Sequence, residues 1–492
     1  MKPRISASRR LSWRWLHLAV ATLLLVIVCH RPAIASEAKH YTELEFGPLP
    51  EVQIPDYERY QLDNGMTVYL MENHELPLVS GTALIRTGSR YEPLSEVGLA
   101  AITGTVMRSG GTTQHPPDEL NQLLEQRAAV VETDIDTNSG SASFSALSED
   151  LNFVFELFAE TLQQPAFPQD KIDLAKQQIQ GSIARRNDDP DDIASREFEK
   201  LVYGESSPYA RMVEYETLDN ITREDVVAFY EGYVRPENLI LGIVGDFDPA
   251  MLKPLIAKTL GGWQPAGNMA QVEVPEATQK NLGGLFVVDR PQLTQSYIQM
   301  GHIGGEFSSP DYPALSVLNG VLNGFGGRLF NEVRSRQGLA YVAYGYWGAQ
   351  YDHPGLFTAG GQTRSDATVP FIATIFEELE KLRSQPISEA ELSYAKESIL
   401  NSFVFNFQNP EQTLSRLLRY DYYDYPTDFI FQYQQAVKNV TIADIQRVAR
   451  EYLQPEQIVT LVVGNQAEIQ PPLSSLSPKV TTVDISIPAP QS

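Results

Sequence analysis

The chain has 492 residues, 42% of them hydrophobic and 20% charged, a balance that supports large cores and excludes intrinsic disorder. A formal net charge of -24 excludes favourable contact with nucleic acid or anionic lipid. A single cysteine excludes a disulfide framework.

In chain order, residues 1–35 read as a secretory signal peptide. Lys2, Arg4, Arg9, Arg10 and Arg14 form a basic region, an apolar run from Leu18 to Val28 follows, and Ala33-Ile34-Ala35 offers a small-residue cleavage site. The run is short for a membrane span. Cleavage is therefore expected, with export to a bacterial periplasm or beyond and no stable membrane insertion afterwards. Cys29 falls inside the signal, so the mature chain would hold no thiolate ligand or cysteine nucleophile.

Residues 36–55 form an extension. Residues 57–73 then predict a hairpin turning at Asn64-Gly65, and 78–88 a strand. Residues 91–108 and 115–127 predict helices, and 132–147 a strand pair around Asn138-Ser139-Gly140. Helices are predicted over 151–163 and 169–187, and a helix and strand over 222–244 close the unit.

The unit is then repeated. Residues 220–246, NITREDVVAFYEGYVRPENLILGIVGD, align without a gap to 439–465, NVTIADIQRVAREYLQPEQIVTLVVGN. Thr222 and Thr441 read as helix N-caps, with Asp225 and Asp444 placed to complete capping boxes. Capping also explains both N-x-T triplets without glycosylation. A second pair, 163–179 and 384–399, repeats Gln-Pro, a helix start and Ala-Lys. The chain is therefore two tandem homologous α/β-sandwich halves of α+β class, 56–262 and 284–470, joined by a Pro/Gly linker at 263–283. A Pro/Ser-rich tail occupies 471–492.

Two stretches carry a family resemblance: LDNGMTVYLMENHELPLVS near the start and GGRLFNEVRSRQGLAYVAYGY at 326–346. Over residues 56–470 the chain resembles the pitrilysin/insulinase-like metallopeptidases, which include the subunits of mitochondrial processing peptidase. The resemblance implies a clam-shell arrangement of the halves. It also implies a helix beginning G-L-A-H-x-x-E-H, whose two His hold zinc while the Glu activates water. Here the helix reads Gly98-Leu99-Ala100-Ala101-Ile102-Thr103-Gly104-Thr105. Ala101, Gly104 and Thr105 replace His, Glu and His, and Gly181 stands at the distal Glu position. His40, His74, His115, His302 and His353 show no ligand spacing. The expectation is no metal or cofactor in this chain.

The resemblance implies a role for what remains. Arg334 and Tyr341 match the family's Arg/Tyr pair, which binds the substrate backbone and steadies the oxyanion. The chain resembles a non-catalytic subunit that delivers this pair in trans to an H-x-x-E-H partner carrying the zinc. The alternative is an inactive peptide-binding or structural subunit. Residues 129–136 match the family's cleft-edge strand, which would place Glu132, Asp134 and Asp136 beside a peptide substrate; a solvated strand face is the plainer reading.

Overall fold

The computed structural model describes residues 52–490; the expected signal peptide and the extension up to residue 51 lie outside the described residues. Among the described residues no helix is long and apolar enough to cross a membrane.

The first half opens on the antiparallel hairpin of β1 (Glu58–Gln61) and β2 (Thr67–Glu72). Gly65 at its turn takes φ 93, a left-handed value that a Cβ disfavours. β3 (Leu78–Ile85) leads to α1 (Leu99–Ser109). The helix predicted from residue 91 starts eight residues later than its pattern suggests. Pro93 and Gly98 oppose helix there, and the Glu92 carboxylate accepts hydrogen bonds from Gly98 N and Ala100 N, satisfying the orphan donors of the first turn. α2 (Pro117–Glu125), β4 (Val130–Ile135), β5 (Gly140–Leu147), α3 (Leu151–Gln163), α4 (Gln169–Arg185) and α5 (Pro190–Tyr203) follow. α6 (Tyr215–Asn220), α7 (Arg223–Tyr233), β6 (Leu239–Gly245) and α8 (Pro249–Thr259) complete the half. The strand order is β1-β2-β6-β3-β5-β4, with β4 at one edge.

Residues 263–283 carry neither helix nor strand, but they are fastened: Tyr209 Oη donates to Pro275 O at 2.6 Å. The second half then repeats the plan. It contains β7 (Gly284–Asp289), β8 (Gln295–Ile303), β9 (Gly305–Glu306), α9 (Tyr312–Leu322), β10 (Ala340–Trp347), β11 (Ala349–Gln350) and β12 (Leu356–Arg364). α10 (Thr368–Ser384), α11 (Glu389–Ser402), α12 (Pro410–Tyr422), α13 (Phe429–Asn439), α14 (Ile442–Tyr452) and β13 (Val459–Gly464) follow. The second sheet does not close at residue 470: β14 (Val480–Thr482), from the Pro/Ser-rich tail, is its sixth strand. Its order is β10-β12-β8-β13-β7-β14; five strands match the first sheet in order and direction, while β14 fills the outer slot of β1 parallel to its neighbour instead of antiparallel.

The repeat is visible in local chemistry. Thr222 and Thr441 both cap their helices, each accepting from the backbone N–H three residues on, with Asp225 and Asp444 reaching back. β6 and β13 are buried at every position, because each central strand is covered on both faces.

One of those covers comes from the other half. α5 leaves the first half at Asp189-Pro190 and packs Ile193, Ala194, Phe198 and Val202 on Val288, Val459, Leu461 and Val463 of the second sheet. α12 leaves the second half at Asn409-Pro410 and packs Leu414, Leu417, Leu418 and Tyr422 on Tyr69, Met71, Ile240 and Val244 of the first. In both, an Asx cap and a Pro in the first turn start the helix, and the Pro fits there because its missing N–H would be unpaired anyway. Gly242 in β6 lets α12 approach: a Cβ there would lie 2.6 Å from Leu418 Cδ1. Each fully buried Leu in this seam contributes about 1.5–3 kcal/mol. The exchange makes the halves one folded body.

Charge pairs reinforce the joint. Arg90 Nη2 lies 2.9 Å from Asp352, with only 2% and 19% of the two side chains exposed. Arg59 Nε lies 2.8 Å from Asp421. Burial opposes ionisation of Asp352, but hydrogen bonds from His353 and Arg90 outweigh it and hold the carboxyl below its ordinary range.

Candidate functional site

Arg334 and Tyr341 meet through two backbone irregularities. Phe330–Arg336 is a π-helical segment, widened by the i→i−5 bond from Gln337 N to Glu332 O; such turns recur at functional sites. Gly338, at φ 61, ends it and sends the chain into β10. There Ala340 pairs with Thr363 and Val342 with Gln362, leaving Tyr341 as the extra residue of a β-bulge. A bulge re-aims its side chain out of the sheet's alternation. The result is a stack, with the Arg334 guanidinium 4.3 Å from the Tyr341 ring centroid and 4.9 Å from that of Phe330.

The pair sits on an edge. β10 is the terminal strand of its sheet, and Tyr341 is 76% exposed. Phe325, Val342 and Tyr346 are exposed as well. Among the described residues no carboxylate forms an ion pair with Arg334, although acids outnumber Lys and Arg by 62 to 38. A guanidinium held only by aromatic faces keeps its five donors available. Phe330 and the exposed aromatics were missed by sequence reasoning; their signal, aromatic residues flanking a Gly-rich turn, is common in ordinary cores.

Ala101, Gly104 and Thr105 lie on α1, and Gly181 lies on α4. Ala101, Gly104, Thr105 and Gly181 supply no imidazole or carboxylate. Geometry adds a second obstacle. A Cβ at Gly104 would stand 2.5 Å from Ile135 N and 2.9 Å from Asp134 C, inside the backbone of β4. The seam is pinned by Thr133 Oγ1 donating to Gly104 O at 2.6 Å and Arg108 Nε donating to Val131 O at 2.8 Å. At Gly181 there is room: a Cβ there would meet only Arg185, at 3.7 Å. The zinc implied by the resemblance therefore does not fit these residues. Among the described residues no group of three or more His, Cys, Asp or Glu could hold a metal ion.

The histidines have local partners. His74 is hydrogen-bonded to Asp246 at 2.6 Å and His115 to Glu160 at 3.0 Å. His302 is bonded to Ile303 O at 2.6 Å, and burial lowers its pKa. His353 stacks on Tyr209. His40 lies outside the described residues.

Glu132 and Asp134 are exposed on β4, the edge strand of the first sheet. Asp136 lies one residue beyond the strand, and its carboxylate accepts from Asn138 N and Ser139 N at 2.6 and 2.7 Å. It closes the β4–β5 turn, so Glu132 and Asp134 alone share the strand face. This acidic edge and Arg334 belong to different sheets, and among the described residues neither Glu132 nor Asp134 pairs with Arg334.

These features define a class: a tandem two-half sandwich with Arg334 and Tyr341 stacked at the second edge and, in the first half, a helix without imidazole or carboxylate at residues 101, 104 and 105. The family model for insulinase (peptidase family M16) matches residues 67–208, and that for the peptidase M16 inactive domain matches 220–399. The chain belongs to the insulinase, or M16, peptidase family. It is similar to an uncharacterized zinc protease, YmxG, of Bacillus subtilis, at 25% identity over 73% of this chain and 86% of the relative. It is also similar to the human mitochondrial-processing peptidase subunit alpha, at 23% identity over 84% and 85% of the two chains. A solved M16 inactive domain from Pseudomonas fluorescens shares the fold with a TM-score of 0.73 at 22% identity, over 83% of this chain and 98% of that one.

Proposed function

We propose that this chain is the zinc-free subunit of an exported two-chain peptidase, delivering Arg334 and Tyr341 in trans to a partner that carries H-x-x-E-H and the metal. The observation that carries this reading is the asymmetry of the two edges. The first offers no metal donor at residues 101, 104, 105 and 181 and has no space at Gly104, while the second uses two backbone irregularities to present an exposed Tyr with a half-buried Arg stacked on it. The Arg334 donors suit a substrate backbone carbonyl, and the Tyr341 hydroxyl suits the oxyanion that develops as water adds to the scissile carbonyl. The Tyr341 hydroxyl acts on charge that appears only in the transition state, so it raises turnover more than affinity. The substrates are peptides; the acidic surface disfavours nucleic acid. The human relative is itself named as a subunit. Export rests on the signal-like residues 1–35.

The test is reconstitution with the H-x-x-E-H chain of the same organism. Tyr341→Phe lowers peptide turnover by about 10²–10³ if the hydroxyl is an oxyanion donor, and Arg334→Ala lowers turnover as well. Full activity from both variants would end the proposal. Tight peptide binding with no cleavage in any mixture would favour an inactive peptide-binding subunit.

A further inference from the structure

The two exchanged-helix joints are built alike but sealed differently. At the first, α12 on the first sheet, the outer strand is β1, held in a local hairpin with β2 and backed by Ile54 and Tyr57. At the second, α5 on the second sheet, the matching slot beside β7 is filled from far along the chain. β14 runs parallel to β7, pairing Val480 with Leu285, Thr481 with Phe286 and Thr482 with Val287. Val483 N continues the ladder to Val287 O at 2.8 Å. The strand pattern outlasts the pairing: Val483, Ile485 and Ile487 turn inward while Thr482, Asp484 and Ser486 are exposed.

Those inward residues cross the joint. Val480 packs on the core of the second half, Val483 and Ile485 on the α5 seam, and Ile487 on the core of the first half. Asn187, at the corner from which α5 departs, donates from Nδ2 to Ile485 O at 2.6 Å. Arg290, just beyond β7, donates to Asn187 O at 3.1 Å. The tail thus touches both halves within eight residues. A β-hairpin whose strands are separated by five residues closes at little entropic cost, whereas the tail must return across the 15 residues that separate β13 from β14.

We propose that the open edge of β7 and the Asn187 corner form a strand-acceptor groove, and that residues 479–487 are its detachable ligand, locking α5 and the first half onto the second sheet. The groove recognises an extended segment with β-branched residues at alternate positions, reading main-chain N–H and C=O along β7 and side chains against α5. Released, the joint at α5 loosens while that at α12 stays closed. The tail is therefore a conformational strap on the angle between the halves, and a second copy's tail or an added peptide of the same pattern can take its place.

Hydrogen exchange on the isolated chain tests this. Removing residues 479–492 speeds amide exchange in β7 and α5 by at least about tenfold, the scale of local opening by 1.4 kcal/mol, and leaves β2, β6 and α12 unchanged. The peptide Lys479–Ile487 added in trans restores protection, and a scrambled peptide does not. If the truncated chain aggregates, the full-length Val483→Asp/Ile485→Asp variant carries the test with the same expected pattern. Equal exchange in both joints, unchanged exchange at α5, or failure of the native peptide to restore protection would overturn the proposal. No outcome depends on a partner chain or on peptidase activity.

Discussion

The two halves share strand order, capping boxes and an exchanged helix, yet they have parted at their edges. β4, in the first, carries Glu132 and Asp134 and lies against a helix with Ala, Gly and Thr at residues 101, 104 and 105. β10, in the second, carries the bulged Tyr341 facing Arg334. The difference separates what holds the fold from what serves the chemistry. Caps satisfy backbone donors at helix starts, while central strands and the α5 and α12 seams bury apolar area, and both copies contain all three. The edge positions differ between the copies: Glu132 and Asp134 face outward from β4, and the bulged Tyr341 from β10.

Two perturbations sharpen that contrast. The larger strikes the joint that the copies share without repeating. Asp352→Asn leaves Arg90 buried without its counter-charge and costs about 3–5 kcal/mol, measured by urea unfolding. The sign of its pH dependence follows from the lowered Asp352 pKa. The pair's contribution is present above the unfolded carboxyl value of about 3.9 and is lost as pH falls through the lower folded value. The variant lacks that component of acid unfolding; identical acid profiles for wild type and variant would contradict the assignment. The smaller perturbation compares the copies directly. Thr222→Ala and Thr441→Ala each cost about 1 kcal/mol, and a cost at only one site would show that the repeated caps no longer do the same work.

Much of the fold was legible because its signals are local. Asn64-Gly65 marks a hairpin, Thr222 and Thr441 mark helix starts, and the repeat itself gives two copies of one unit. The exchanged helices were not legible: nothing near Asp189-Pro190 or Asn409-Pro410 says which sheet the next helix will cover. The tail strand escaped for the same reason, since Val480–Thr482 is too short and polar to announce itself without β7 beside it. Within the site, the residue types at Arg334, Tyr341, Ala101, Gly104, Thr105 and Gly181 could be read from the alignment to a family pattern. Their geometry could not. A π-turn and a bulge are compromises between distant packing demands, and the closeness of β4 to Gly104 exists only once the helix is docked.

The first half offers no imidazole or carboxylate at residues 101, 104, 105 and 181 to hold a catalytic ion. Zinc stoichiometry, measured on the purified chain and on Ala101→His/Gly104→Glu/Thr105→His, addresses it most directly. The expected result is substoichiometric zinc for the wild-type chain, and for the variant no restored tight site together with lowered stability, because a side chain at residue 104 must displace β4. One tightly bound zinc per wild-type chain would contradict it.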